Sequence, residues 1–241
     1  MKVYNQKKMI LISGFVGAGK TTIAQNLANY LQQSDVCIQS ISAFPNISYV
    51  VLKAISMLLY GRKVTQAHES LGVHPATLIV KRFYKLPKSL VFIITLIEVL
   101  SIKFAFLRMM FSCRRSKIIV VDEGPINMVA NYLEVLDRDA KYLFYVLCRL
   151  LKHLQQQFDV VFIFLITNQN TLINRWIKRN RPLPTSLVDL YHHFQYIKLL
   201  TYSKTLFECA GFSIISFDTS NSDPESIARS IIKVSLEDIV L

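Results

Sequence analysis

Glycine is scarce in this sequence, with seven residues in 241, and tryptophan occurs once. Acidic residues number 16 against 28 lysines and arginines, and charged residues make up only 18% of the chain. With 52% hydrophobic residues, that composition excludes a disordered protein. No internal repeat and no low-complexity tract is present. The four cysteines, Cys37, Cys113, Cys148 and Cys209, include no pair at metal-ligand or redox spacing. Cys37 and Cys148 stand in apolar patterns and read as buried small hydrophobes, so a reduced, cytoplasmic setting is expected. The five histidines form no metal pattern either; His192 and His193 are adjacent and would face different directions on a helix. Long uncharged runs are also missing. The apolar stretch Leu90–Phe111 is cut by Glu98, Lys103 and Arg108, and its longest uncharged run, Ser89–Ile97, falls well short of the ~20 residues of a spanning helix. A core or interface helix is expected there. At the N-terminus Lys2, Lys7 and Lys8 precede Met9–Ile12, an apolar run too short for a signal core.

What is present is long enough for one sizeable core, and residues 1–241 are expected to form a single domain. The net charge of +12 is unevenly placed. Residues 43–117 hold twelve basic residues against two acids, Glu69 and Glu98, a balance of +10. Such a segment suits an anionic partner or serves as a solubilising surface. Its aromatics, Tyr49, Tyr60, Phe83 and Tyr84, fit no base-stacking motif, which disfavours nucleic acid. A membrane surface met through 81–117, where apolar and basic residues interleave, is the second candidate partner, and a homodimer a third.

Strand and helix patterns alternate. Strands are expected at Met9–Ser13, Val36–Ile41, Ile118–Val121, Val160–Ile166 and Phe212–Phe217. Helices are expected at Lys20–Gln33, across most of Ser48–Ser112, after an N-cap at Asp137, at Asn170–Arg179, at Thr185–Ala210, and after Ser222–Glu225, which has the spacing of a capping box. This alternation implies an α/β fold of three layers, a mostly parallel five-stranded sheet between helices, enlarged by a helical insertion at 43–117. Ligand is expected at the carboxyl ends of the strands, where Gly14, Asp122 and Thr167 fall.

Gly14-Phe15-Val16-Gly17-Ala18-Gly19-Lys20-Thr21 matches the phosphate-loop pattern G-x-x-x-x-G-K-[ST] in full, and Thr22 follows it. A strand precedes the loop and a helix follows it. Glycines let successive backbone N–H groups converge on phosphate oxygens, and the helix N-terminus faces the same anion. Lys20 adds a charge on the β- and γ-phosphates, and the Thr21 hydroxyl is a Mg²⁺ ligand. ATP and Mg²⁺ are therefore the expected cofactors. At the end of the third strand stand Asp122 and Glu123. Asp122 is placed to hold the metal opposite Thr21, and Glu123 to act as general base toward a substrate hydroxyl or toward water; both also suit a helix N-cap before Pro125. Past the fourth strand, Arg175 and Arg179 lie four apart on one helix face, and Arg181 follows in a proline-stiffened loop. Guanidinium groups so placed suit the charge that develops in phosphoryl transfer, although a solvated basic face has the same pattern.

Taken together, the loop Gly14–Thr22, the acid-ended strand at Asp122, the three arginines and the tail Gly211–Glu225 resemble the P-loop nucleoside and nucleotide kinases, in particular thymidylate-kinase-like proteins. The resemblance covers Met9–Asn29 and Ile118–Ile232. It implies that 175–185 forms a lid over ATP and that Thr219–Asn221 lies near the adenine. The family's Asp-Arg at the end of the third strand is here Asp122-Glu123, and its acid after the second strand is missing from Ser42–Pro45. Both departures fall on the acceptor side. The sequence thus points to an ATP-dependent kinase of a nucleotide, nucleoside or other small acceptor. The alternative is a P-loop ATPase or nucleotide-binding switch at a membrane periphery.

Overall fold

The computed structural model describes residues 7–15, 17–31, 36–40, 47–70, 88–136, 140–178 and 187–236. In chain order the elements are β1 (Lys7–Gly14), α1 (Lys20–Tyr30), β2 (Val36–Ser40), α2 (Ile47–Tyr60), α3 (Arg62–Ser70) and α4 (Lys88–Ser112). They continue with β3 (Ile118–Asp122), α5 (Pro125–Leu136), α6 (Ala140–Gln155), β4 (Phe158–Ile166), α7 (Gln169–Lys178), α8 (Leu187–Cys209), β5 (Ile214–Asp218) and α9 (Pro224–Leu236).

The five strands form one sheet in the order β2-β3-β1-β4-β5, and every neighbouring pair is parallel. The apolar runs of β1 and β3 explain their central places: a parallel strand covered on both faces needs apolar side chains at every position. Side chains alternate across the sheet. Met9 and Leu11 face a core built with α4, α5, α6 and α8, whereas Ile10 and Ile12 face the core under α1 and α9. On the first face, the rings of Phe144, Phe207, Phe212 and Phe162 pack in succession. This is the three-layer fold expected, and the described residues 47–70 and 88–112 before β3 form the helices α2, α3 and α4.

The connection out of β1 crosses one face toward β2, and the chain leaving β3 crosses the other face to β4. The carboxyl ends of β1 and β3 therefore flank a crevice at which the direction of winding reverses, the usual ligand position in open α/β sheets.

Two expectations are corrected. First, a helix occupies Pro125–Leu136, which the sequence reading held only as an alternative, through an N-cap before Pro125, and the expected cap at Asp137 lies outside the described residues. Pro125 fits the first helical position because its missing N–H has no partner there in any case. Second, Cys37 is not a lone buried thiol. It is half-buried and bonded to Cys113, 76 residues away, with the two Cα atoms 5.6 Å apart. Only the fold brings β2 beside the end of α4, so no local spacing reveals the pair. Cys148 is buried as expected. No helix among the described residues is long and apolar enough to cross a membrane, which agrees with the reading of 90–111.

Candidate nucleotide-binding site

The phosphate loop turns on Gly14. Its φ of 145° lies in a region that L side chains rarely adopt, and a Cβ there would sit 2.2 Å from the Leu165 carbonyl oxygen. That closeness lets the Phe15 N–H donate to the same carbonyl at 3.1 Å, which fixes the loop against β4. Gly17 and Gly19 also have left-handed φ values, 87° and 89°. Gly19 opens α1, and its carbonyl accepts from the Ile23 N–H. Lys20 is buried, and its Nζ donates to the carbonyls of Gly14 and Phe15 at 3.2 Å each. The lysine therefore spans its own loop from inside, at the mouth of the α1 N-terminus. Ala18 is buried and Thr22 half-buried beside it, and Val16 lies outside the described residues.

Asp122 lies across from α1 at the end of β3. The Thr21 hydroxyl donates to its Oδ2 at 2.6 Å. The other oxygen, Oδ1, is buried and has no hydrogen-bond partner among the described residues. Ser13 Oγ and Thr167 Oγ1 are in the same condition. Thus the ends of β1, β3 and β4 each carry a buried polar oxygen without a hydrogen-bond partner among the described residues. An unsatisfied buried carboxylate oxygen is costly, and a hard divalent cation is the ligand that such an oxygen suits. No cluster of three or more His, Cys, Asp or Glu exists among the described residues. Mg²⁺ in nucleotide sites takes one or two protein oxygens together with phosphate and water rather than a cage of side chains. The Thr21 hydroxyl and the Asp122 carboxylate, both expected as metal ligands, meet in a direct hydrogen bond.

Glu123, next in sequence, is half-buried and has a φ of 69°, the only positive value on a non-glycine among the described residues. A left-handed glutamate costs about 1 kcal/mol or more, and such strain concentrates at functional turns. The turn is held on its far side, where the Gly124 N–H donates to the Ile12 carbonyl at 2.6 Å.

The residue that sequence reasoning missed is Asn127. Its Oδ1 accepts from the Gly14 N–H and its Nδ2 donates to the Gly14 carbonyl, both at 2.9 Å, and it is 6% exposed. One side chain from the first turn of α5 therefore grips both polar groups of the residue that opens the phosphate loop. The Tyr196 hydroxyl on α8 also meets Asn127; burial raises its pKa, the Asn127 hydrogen bond pulls it part of the way back, and the charges of Glu134 and Glu123 push it further up. No motif marks Asn127. Its signal was an asparagine two residues past a proline at a helix start, which is common.

On the other side of the loop stands Arg175 from α7. Its Nη1 donates to the Gly17 carbonyl and to Thr219 Oγ1, each at 3.2 Å, and its Nη2 donates to the Thr219 carbonyl at 2.6 Å. It ties the phosphate loop to the turn after β5. That turn is itself ordered: the Asn168 N–H donates to Ser220 Oγ, and Asp218 accepts from the Ser220 N–H. Hydrogen bonds from the Ser220 side chain and then its backbone hold the Asp218 carboxyl below its ordinary pKa. Asn168 in turn caps α7 by accepting from the Thr171 N–H at 2.8 Å. Arg179 and Arg181 lie outside the described residues.

No family model matches this sequence, and no curated protein matches it. Among solved structures, the chain is similar to deoxyadenosine kinase from M. mycoides with bound dATP, at 18% identity and a TM-score of 0.47, over 95% of this chain and 98% of that one. The same enzyme with bound dCTP matches at 17% identity and a TM-score of 0.47, over 96% and 100% of the two chains. Shikimate kinase from Acinetobacter baumannii in complex with shikimate is similar at 14% identity and a TM-score of 0.40, over 100% and 99%. The loop sequence, the left-handed glycines that shape it, the acid of β3 bonded to Thr21 and the strand order together form a phosphate loop between a strand and a helix of a parallel α/β sheet.

Proposed function

We propose that this chain is an ATP-dependent phosphotransferase that moves the γ-phosphoryl group to a small acceptor, a nucleoside or nucleotide being the class that the sequence resemblance favours. The observation that carries the reading is the Thr21–Asp122 pair at the mouth of a complete phosphate loop, with one buried carboxylate oxygen left without a partner. A phosphate-binding loop alone serves many proteins. A loop with an acid of the neighbouring strand aimed at its threonine serves those that handle a magnesium-bound triphosphate.

In this reading the N–H groups of 14–21 and the α1 N-terminus hold the triphosphate oxygens. Lys20, released from the carbonyls of Gly14 and Phe15, turns to the β- and γ-phosphates. Mg²⁺, held by Thr21 and Asp122, neutralises charge on the phosphates when bound. The P–O bond to the β-phosphate breaks as a new P–O bond forms to the acceptor oxygen, whose proton passes to Glu123. Arg175, already between the loop and Thr219, stabilises charge on the donor side, and Arg179 and Arg181 act with it from a lid spanning 175–185. Asn127 keeps the Gly14 peptide oriented throughout and is a positioning residue.

The test is transfer of label from γ-labelled ATP to nucleosides, nucleoside monophosphates and sugar or lipid-linked acceptors, with a no-acceptor control. Labelled product that depends on one acceptor supports the proposal and names the substrate class. Phosphate release at one rate whatever the acceptor would refute it in favour of an ATPase or switch, with Glu123 positioning water.

A further inference from the structure

The left-handed backbone of Glu123 persists only if the contacts around it impose it. Those contacts belong to Gly124. Its N–H donates to the Ile12 carbonyl at 2.6 Å, and its carbonyl accepts from the Asn127 N–H at 3.2 Å. Its remaining side rests on Ser13. A Cβ at Gly124 would stand 2.5 Å from Ser13 Oγ and 3.1 Å from the Ile12 carbonyl oxygen. Real Cβ atoms do not come within 2.5 Å of such a neighbour. The end of β1 and the turn after β3 therefore meet across the space that a side chain at 124 would need.

Serine is a costly residue at position 13. It is 1% exposed, it follows the apolar run of β1, and its Oγ has no hydrogen-bond partner among the described residues. A buried hydroxyl without a partner costs free energy, so folding alone would favour alanine there. What Oγ supplies is bulk, one heavy atom set against Gly124. Two residues that each cost stability, Ser13 and Glu123, thus lie on either side of one glycine, and locally costly residues concentrate where function retains them.

We propose that Ser13 is a positioning residue for Glu123. Its Oγ props Gly124, Gly124 fixes the turn, and the turn holds the Glu123 carboxylate where it takes the proton of an acceptor or of water. Asp122 does not depend on the prop, because β3 is paired on both sides, with β1 and β2, and the Asp122 carboxylate meets Thr21 directly. Ser13 therefore acts on the chemical step and not on nucleotide binding. The inference rests on the role given to Glu123 in the phosphotransfer reading.

The experiment moves one heavy atom across the contact. Ser13→Ala, Gly124→Ala and the pair are made in the full-length chain. Each is measured for thermal midpoint, MgATP affinity and loss of the γ-phosphate of ATP, to an acceptor or to water. Ser13→Ala should keep the thermal midpoint or raise it by up to about 4 °C, since an unpaired hydroxyl is removed. It should nonetheless slow γ-phosphate loss about tenfold, because the turn relaxes into the vacated space. Gly124→Ala should slow it about 100-fold and lower the midpoint by at least about 2 °C. In the pair the added methyl takes the place of the lost oxygen, and the rate should return to within about threefold of the unaltered chain. The Ile12 carbonyl, 3.1 Å from that methyl, keeps the recovery incomplete. MgATP affinity should stay unchanged in all three. Full turnover in Ser13→Ala, or a pair no faster than Gly124→Ala alone, would overturn the proposal. So would rates that follow the thermal midpoints, because Ser13 would then be scaffold. Glu123→Gln separates the two readings. If it is slow while Ser13→Ala is not, the present inference fails alone; if it turns over normally, the role of Glu123 fails and the inference with it.

Discussion

Replacing Asn127 with alanine isolates the grip on the phosphate loop. The side chain makes two hydrogen bonds of 2.9 Å to Gly14, one to its N–H and one to its carbonyl. The two losses are unequal. The carbonyl keeps a partner, since Lys20 Nζ also reaches it at 3.2 Å, so only the net worth of one bond, about 1 kcal/mol, is forfeited there. The N–H is buried, and without Asn127 it bears the full cost of an unmade bond, about 1–3 kcal/mol. The sum is about 2–4 kcal/mol of folding stability. Nucleotide binding should fall as well, because the Gly14 peptide can then rotate and the loop amides no longer converge. Urea unfolding measures the first effect and titration with MgATP the second. Asn127→Gln restores the amide at the wrong reach and should recover less than half of either. If Asn127→Ala lost stability but bound MgATP as before, the residue would be part of the scaffold and the positioning role would fail. If neither quantity moved, the two bonds to Gly14 would be refuted.

Three further outcomes are expected. Asp122→Asn should lower MgATP affinity at least tenfold while leaving thermal stability equal or higher, because a buried carboxylate with an unpartnered oxygen costs free energy until a cation arrives; a marked fall in stability would show that Asp122 serves the scaffold. Reduction of the Cys37–Cys113 bond, which closes a loop of 76 residues, should remove up to about 4 kcal/mol of stability in urea, and identical midpoints with and without reductant would count against the bond. In native protein a thiol reagent should react at exposed Cys209 alone, with Cys148, whose pKa burial pushes up to about 11, labelled only after unfolding, and Cys37 and Cys113 only after reduction. Mass spectrometry of the labelled peptides checks each position.

The legible parts of this protein share a cause. The phosphate loop is contiguous, its glycines are needed for backbone reasons, and its lysine and threonine act within one turn, so eight residues carry a site between a strand and a helix. The parallel strands were legible because burial on both faces demands unbroken apolar runs such as Met9–Ile12 and Ile118–Val121. Element ends were less so: β4 begins at Phe158, not Val160, and α1 ends at Tyr30, not Gln33, since fraying and capping are settled by packing. The helix Pro125–Leu136 was only an alternative in the sequence because Asp122 and Glu123 suit a metal ligand and a base as well as an N-cap before Pro125.

The sequence by itself determined the α/β class, the phosphate loop and the identity of Asp122 as the acid beside it, because each rests on local spacing and on the burial that a strand requires. Tertiary structure alone decided that Asn127 holds Gly14 from 113 residues away, that Arg175 spans Gly17 and Thr219, that Cys37 meets Cys113, and that one side of α4 stays open. The physical reason is the same in each case. A hydrogen bond, a disulfide or an exposed face depends on which atoms come within a few ångströms of each other. Between distant segments that is fixed by how the strands and helices are arranged in the folded chain.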